Sequence, residues 1–170
     1  MGKEREITDI FDVNCKRTGK TLVRGEKPKE GEYLMAAAAI VRVKGFYLVT
    51  KRSETKSMAG KWEFPGGGSR KGEEPFDTLR RELKEETGIL ADFRQTTYLK
   101  QVYYEKFHLL MQVFLVESNA KREDLKLQQE EVCDAMFVNH RELKELYSYM
   151  TDLDKQIYTE AVSPLLLADL

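Results

Sequence analysis

Three glutamates stand close together in the second half of the stretch GGGSRKGEEPFDTLRRELKEETGI, residues 66–89. On a helical wheel with about 100° per residue, Glu85 and Glu86 fall near about −60° and about +40° from Glu82. Glu86 then lies beside Leu79, so the carboxylates border the apolar face of the helix and do not occupy the opposite, solvent-facing side. Carboxylates gathered at the edge of a core can bind a hard cation.

A solvated charged helix explains this pattern poorly. Like charges at i,i+4 destabilise a helix, and two carboxylates about 5 Å apart repel by roughly 3 kcal/mol at an effective dielectric of about 20. Arg81 can compensate part of this repulsion. A divalent cation compensates more, because Mg²⁺ prefers oxygen ligands and keeps waters that a substrate phosphate can replace. The three glutamates therefore predict a metal site.

The glycine run Gly66–Gly68, with a further glycine at Gly72, exceeds what a simple turn requires. A backbone without Cβ can approach a metal or a phosphate closely, and it can adopt dihedral angles closed to other residues. No Gly-Lys-Ser/Thr sequence follows, so the run is not a P-loop. Together with the glutamates, the glycines predict a metal and phosphate site of another kind.

The same residues resemble the Nudix box, the pattern G-x5-E-x7-R-E-U-x-E-E-x-G-U in which U is aliphatic. The preceding KWEFPGG is also typical of this family, and the later QQEEVCDAMFVNHREL resembles its strand and short helix near the active site. The first thirty residues are less typical. The positions that match the box are Gly67, Glu73, Arg81, Glu82, Leu83, Glu85, Glu86, Gly88 and Ile89.

The resemblance implies an α/β (α+β) fold of the Nudix type, a mixed β-sheet sandwiched between helices. It implies hydrolysis of the pyrophosphate bond of a nucleoside diphosphate linked to another moiety, with Mg²⁺ or Mn²⁺ as the cofactor. Arg81 would hold the carboxylates in place, partnered by Glu73. The implied metal ligands are the side chains of Glu82, Glu85 and Glu86 and the backbone carbonyl of Gly66.

Residues outside this ligand set are candidates for proton transfer and substrate binding. The catalytic base varies within the family, and Glu82, Glu85 or Glu131 could accept the proton. For the substrate, Trp62 could stack on a base and Arg52, just after a predicted strand, could hold a phosphate. The backbone of Gly67 is a further substrate-binding candidate.

Hydrophobic runs bounded by turn residues predict strands, and helical spacing with caps predicts helices. Pro75 at a first helical position and Gly88 as a left-handed cap bound the helix that carries the glutamates. Asn139 opens a capping-box pattern, and Thr151 opens a last helix that is bent or broken near Pro164. The absence of strict βαβ alternation favours a mixed sheet covered by helices. The main predicted strands are residues 34–43, 46–51, 98–104, 107–117 and 132–138.

Residues 1–32 read as a hairpin extension that precedes a Nudix domain over residues 33–170. The hairpin is expected to turn near Thr18 and Gly19, and the segment EKPKEGE is expected to be a polar linker. A two-stranded hairpin is marginal alone, so it must pack on its own domain or on a partner subunit. We expect a homodimer, because symmetric dimers are the commonest soluble assembly and the linker allows the hairpin to reach outward.

Composition excludes several other functions. The net charge is −1 over 170 residues, which gives no strong signal for nucleic-acid or membrane binding. The N-terminus is too polar for a signal peptide, and the apolar run LMAAAAIV is too short to cross a bilayer. The two distant cysteines favour reduced thiols in a cytoplasmic protein.

Two alternatives to hydrolysis remain. The N-terminal segment RTGKTLVRGE followed by a Nudix core is similar to isopentenyl-diphosphate isomerases, but the strand before the box carries none of the cysteine or histidine those enzymes need. A nucleotide-sensing Nudix domain without catalysis is the other alternative. Such domains usually have a broken box, and the box here is intact.

Overall fold

The computed structural model describes residues 5–168, and its centre is a mixed β-sheet. Strand β3 (Leu34–Val43) pairs in parallel with β8 (Leu109–Glu117) along one edge. Along its other edge it pairs antiparallel with β6 (Gly66–Gly68) and then with β4 (Phe46–Arg52). β4 also pairs with β5 (Trp62–Glu63) and β9 (Val132–Val138), and β7 (Thr96–Tyr104) pairs with β8 at the outer edge. The predicted mixed sheet is confirmed.

Strand β3 lies in the middle because both of its faces are buried. Successive side chains of a strand point to opposite faces, and residues 35–41 are all buried. Ala36, Ala38 and Ile40 join the core under the C-terminal helices, whereas Ala37 and Ala39 face the helix that carries the glutamates. The sheet is therefore sandwiched between helices, as the sequence predicts.

Helix α1 (Pro75–Thr87) has the predicted bounds. Its start is fixed by the Asp77 side chain, whose Oδ2 accepts from the Glu74 backbone N–H at 3.0 Å in the manner of a capping box. Its end is fixed by Gly88, whose φ of 79° is left-handed and whose N–H donates to the Lys84 carbonyl.

The C-terminal segment covers the other face of the sheet. Helix α2 (His140–Leu146) is capped by Asn139, and α3 (Asp152–Ile157) is capped by Thr151, as predicted. The predicted break near Pro164 takes the form of a π-helical turn, Tyr158–Val162, directly before α4 (Ser163–Ala168). A proline lacks the N–H that a regular helix would use, and a π turn accommodates the missing bond.

The N-terminal hairpin consists of β1 (Ile7–Phe11) and β2 (Arg17–Val23). The predicted turn at Thr18 and Gly19 is wrong, because both residues lie inside β2. The chain turns at residues 12–16, where Asp12 Oδ1 accepts from the backbone N–H groups of Asn14 and Lys16 at 2.8 and 3.0 Å. Aspartate side chains form such local turns readily, and the turn therefore lies at Asp12 and not at Gly19.

The hairpin packs on its own chain. Ile10 and Phe11 are buried, and Phe11 exchanges backbone hydrogen bonds of 2.8 and 2.9 Å with Tyr33. Arg17 pairs with Glu74 at 2.7 Å, just before α1. The hairpin therefore does not reach outward as expected. A domain boundary near residue 32 stays a prediction.

Within residues 5–168, no helix is both long enough and apolar enough to span a membrane.

Candidate active site

A cavity of about 670 Å³ opens beside α1 and the glycine strand β6. It brings together most of the residues that the sequence singled out, although they come from three separate segments. Those on its wall are Gly66, Gly67, Arg81, Glu82, Glu85, Glu86 and Glu131.

Arg81 is the centre of the charge network on this wall. Its Nε and Nη2 atoms donate to the two carboxylate oxygens of Glu73 at 2.6 and 2.9 Å. Nη1 donates to Glu82 at 2.6 Å and to Glu85 at 3.4 Å, and Nη2 also reaches the Gly68 carbonyl at 3.0 Å. One guanidinium therefore ties helix α1 to the glycine strand and to the loop before the helix.

The pKa values of Glu73 and Glu82 shift in opposite directions, although Arg81 lowers both. Burial alone would raise the pKa of Glu73, but the hydrogen bonds from Arg81, the Arg70 N–H and Thr78 lower it to about 2. Burial raises the pKa of Glu82, and the Glu85 carboxylate adds to the rise, although Arg81 opposes both. Glu73 is thus stabilised as an anion, whereas burial and the Glu85 charge make the ionised form of Glu82 less favourable.

Glu86 is the most deeply placed of the three helix carboxylates, with 4% of its surface exposed. Burial raises its pKa well above the ordinary value, and the negative charges of Glu63 and Glu82 add to the rise. The backbone N–H of Gly66 donates to its Oε2 at 3.2 Å. This side chain therefore occupies an unfavourable place for an anion unless a cation lies nearby.

The glycine run forms a strand, not a loop, and pairs with residues 36–38 of β3. Of the two uses of glycine that the sequence left open, the unusual dihedral angle is found at Gly72, whose φ is 82°. Close approach is what requires glycine here. A Cβ on Gly66 would lie 2.3 Å from the Ala37 carbonyl oxygen, and one on Gly67 would lie 2.5 Å from Cδ of Glu82.

Carboxylate oxygens are suitable ligands for a divalent cation, but the oxygens of these three side chains do not surround a common point. Among residues 5–168, no group of three or more His, Cys, Asp or Glu side chains is arranged to hold a metal ion as it stands. Glu82 and Glu85 are engaged by Arg81, and Glu86 by Gly66. Three oxygen donors on one cavity wall, two of them with raised pKa, still suit Mg²⁺ or Mn²⁺. The ligand assignment stays a prediction.

Glu131 lies on the part of the wall that the loop before β9 contributes. Its carboxylate pairs with Lys56, and its backbone carbonyl accepts from the Ser53 N–H at 3.1 Å. These contacts hold the loop of residues 53–61 against the loop before β9. The position is compatible with a role in proton transfer, which stays a prediction.

Two predicted substrate-binding residues do not line this cavity. Arg52 donates to Glu63 at 2.8 Å and to the Ser57 carbonyl at 2.7 Å. Trp62 is half-buried against the core under the C-terminal helices, with the Lys51 ammonium 5.9 Å from its ring centre. Both side chains have structural contacts, and their substrate-binding roles stay predictions.

Six further residues on the wall were missed in the sequence. They come from the hairpin, from loops and from the glycine-rich segment, so no periodicity could reveal them. The only hint in the sequence was the number of arginines in the first 24 residues. These arginines indicate a site only once it is known that the hairpin packs beside the cavity. These residues are Arg5, Glu6, Arg24, Lys56, Arg70 and Gln128.

Comparison with known proteins agrees with this arrangement. A family model described as the NUDIX domain matches residues 32–160. A Nudix hydrolase of Listeria monocytogenes is 35% identical over 146 residues, which cover 84% of this chain and 85% of that protein. An RNA pyrophosphohydrolase of Nitratiruptor is 30% identical over 128 residues, covering 68% of this chain and 79% of that protein.

Among solved structures, a Deinococcus radiodurans protein superposes with a TM-score of 0.74. The match covers 91% of this chain and 98% of that protein at 18% identity, which supports the fold alone.

Proposed function

Since the chain belongs to the Nudix hydrolases, we propose that it is a metal-dependent hydrolase that cleaves the pyrophosphate bond of a nucleoside diphosphate derivative. The observation that carries the proposal is the cavity wall formed by Glu82, Glu85 and Glu86 around Arg81. A small nucleotide derivative is the partner that such a cavity suits best.

The side chains of Glu82, Glu85 and Glu86, with the Gly66 carbonyl, would hold Mg²⁺ or Mn²⁺. When bound, the cation neutralises and orients the diphosphate and lowers the pKa of a bound water. Raised pKa values at Glu82 and Glu86 support this assignment, because burial and neighbouring charges leave these anions short of compensation.

Hydrolysis joins a water oxygen to phosphorus and breaks the P–O bond of the anhydride, and the water proton must pass to a base. Glu82, Glu85 and Glu131 remain candidates for that base. Burial favours Glu82, because a carboxylate with a raised pKa accepts a proton more readily near neutral pH. Arg81 would orient Glu82 and Glu85 through its bonds of 2.6 and 3.4 Å.

The test is a product-release assay on the purified full chain with Mg²⁺ or Mn²⁺. The substrates are ADP-ribose, a dinucleoside polyphosphate, capped RNA and an oxidised nucleoside triphosphate. At least one should be hydrolysed at its pyrophosphate bond, and exhaustive chelation should abolish turnover. Turnover that survives chelation would contradict the metal role, and no hydrolysis across the panel would contradict the function.

A matched pair of variants separates the site from general charge effects. Glu85→Gln removes a carboxylate from the cavity wall, whereas Glu145→Gln removes one from an exposed pair with Arg141 on α2. Only the first should reduce turnover.

A further inference from the structure

The N-terminal hairpin contributes a cluster of charged side chains to the wall of the cavity. Glu6 lies between two arginines, accepting from Arg70 Nη2 at 2.9 Å through one oxygen and from Arg24 Nη1 at 2.6 Å through the other. We call Arg24, Glu6 and Arg70 the hairpin clamp. All three residues line the cavity, together with Arg5 from the same segment.

The hairpin clamp keeps the capacity to bind another anion. Two guanidinium groups carry five N–H donors each, and one carboxylate cannot engage all of them. Within the described part of the chain, Arg70 Nε is buried and has no hydrogen-bond partner. Outside the cavity the basic surface continues, since Arg5, Arg70 and Lys71 also line an adjoining cleft.

The clamp contributes little to the stability of the fold. The side chains of Arg24 and Arg70 are 70% and 43% exposed, and exposed ion pairs stabilise proteins only weakly. The hairpin is held by other contacts, including Gly72 N–H to Asp9 at 2.8 Å and Lys71 N–H to the Ile7 carbonyl at 2.8 Å. The clamp is therefore a preorganised group of charges on a scaffold that does not depend on it.

The clamp adjoins the exposed end of the glutamate wall. Arg70 Nη2 lies 3.7 Å from Oε1 of Glu85, the most exposed of the three helix carboxylates. A phosphate chain that has one phosphate at the glutamates would bring its next phosphate to the arginines. Guanidinium groups suit phosphate especially well, because their forked donors match its oxygens.

We propose that Arg24 and Arg70, which Glu6 bridges in the absence of substrate, bind the terminal phosphate of the substrate. This inference rests on the proposed function and names its substrate class, nucleotides that end in a phosphate beyond the bond that is cleaved. The hairpin then completes the active site within one chain. Glu6 occupies the clamp in the absence of substrate, and the phosphate competes with it for the two guanidinium groups.

The test compares two substrates that differ at the end facing the clamp. dGTP ends in a phosphate, whereas ADP-ribose ends in a neutral sugar. Arg24→Gln and Arg70→Gln should each raise KM for dGTP by about tenfold and raise KM for ADP-ribose by a clearly smaller factor. Lys20→Gln removes a cation from the same hairpin, away from the cavity, and serves as the matched control.

Glu6→Gln is the most decisive variant, because the two explanations of the clamp predict opposite changes in KM for dGTP. If the clamp binds phosphate, removing the competing charge should lower KM for dGTP by about threefold. If the clamp only fixes the hairpin, the same change should weaken binding. Equal effects of the arginine variants on both substrates, or a higher KM for dGTP in Glu6→Gln, would overturn the proposal.

A measurement without turnover separates this proposal from the proposed function. Calorimetric titration with inorganic tripolyphosphate and magnesium should show weaker binding in Arg24→Gln and Arg70→Gln, and tighter binding in Glu6→Gln. If the wild type hydrolyses neither nucleotide, the hydrolase proposal fails, yet this titration still decides whether the clamp binds phosphate. Unchanged tripolyphosphate affinity in all three variants would overturn the clamp.

Discussion

Gly67→Ala should uncouple activity from stability. The new Cβ would lie 2.5 Å from Cδ of Glu82 and 2.6 and 2.8 Å from its two oxygens. Carbon atoms in contact sit about 3.5–4.0 Å apart, so the carboxylate must move by about 1 Å or more. A displacement of about 1 Å in a reacting group costs roughly 100-fold in rate. Because the end of a flexible side chain can change rotamer, the free energy of unfolding should fall by only about 1 kcal/mol.

The neighbouring glycines are matched controls with different expected outcomes. A Cβ on Gly66 would lie 2.3 Å from the Ala37 carbonyl oxygen and 2.9 Å from the Ala38 Cα, so backbone must shift. Gly66→Ala should therefore lower the free energy of unfolding by about 2–3 kcal/mol. A Cβ on Gly68 would meet no heavy atom within 4 Å. Gly68→Ala should keep normal turnover and gain up to about 1 kcal/mol.

The assay measures kcat and thermal unfolding on the three variants and the wild type. A loss of 1 kcal/mol lowers Tm by about 2–4 °C in a chain of this size. The expected pattern is a folded Gly67→Ala whose kcat is roughly 100-fold lower, a destabilised Gly66→Ala and an active Gly68→Ala. Normal kcat in Gly67→Ala would refute the reasoning, because it would mean that the position of the Glu82 carboxylate does not matter for turnover.

Three other predictions concern the helix carboxylates, a buried acid and the assembly. Glu85→Gln and Glu86→Gln should each lower turnover by orders of magnitude while Tm holds or rises, since repulsion between like charges is removed; near-normal turnover would exclude that residue as a metal ligand. Burial, with the charge of Glu63, raises the pKa of Asp154 from 3.8 to about 7. The folded state then binds this proton more tightly than the unfolded state, so the wild type should lose stability relative to Asp154→Asn as pH rises from about 4 to about 7; parallel Tm curves would contradict this. We still expect a homodimer by light scattering at micromolar concentration, and a monomeric full chain would reject it.

Helix α1 could be predicted in detail because its signals are local. Proline at the first position, glycine after the last and apolar residues at helical spacing all act within one or two turns. The burial of Leu79 and Leu83 beside Glu86 follows from the same spacing. The central strands could also be predicted, because a strand with both faces buried appears in the sequence as a continuous apolar run.

The docking of the hairpin could not be predicted, because it depends on contacts between distant segments. Arg17 pairs with Glu74, and Asp9 accepts from the Gly72 N–H, although these partners are far apart in the sequence. Which glycine has which of the two roles could not be predicted, for a related reason. Whether a glycine supplies a dihedral angle or a close approach depends on what lies opposite, and here that is Ala37.

Arg52 shows how the charges behind the cavity bear on the chemistry within it. Sequence position suggested a phosphate ligand, yet its guanidinium pairs with Glu63 at 2.8 Å. Burial raises the pKa of Glu63, and Arg52 opposes that rise. Glu63 in turn raises the pKa values of Glu86 and Asp154. A buried row of acids therefore extends from α3 to the cavity, with Arg52 as a counter-charge on its inner part. The outer part faces the cavity, where the Gly66 N–H and the Lys56 charge compensate Glu86 only in part, since its pKa stays raised. A cation bound in the cavity, as proposed above, would supply the remaining compensation.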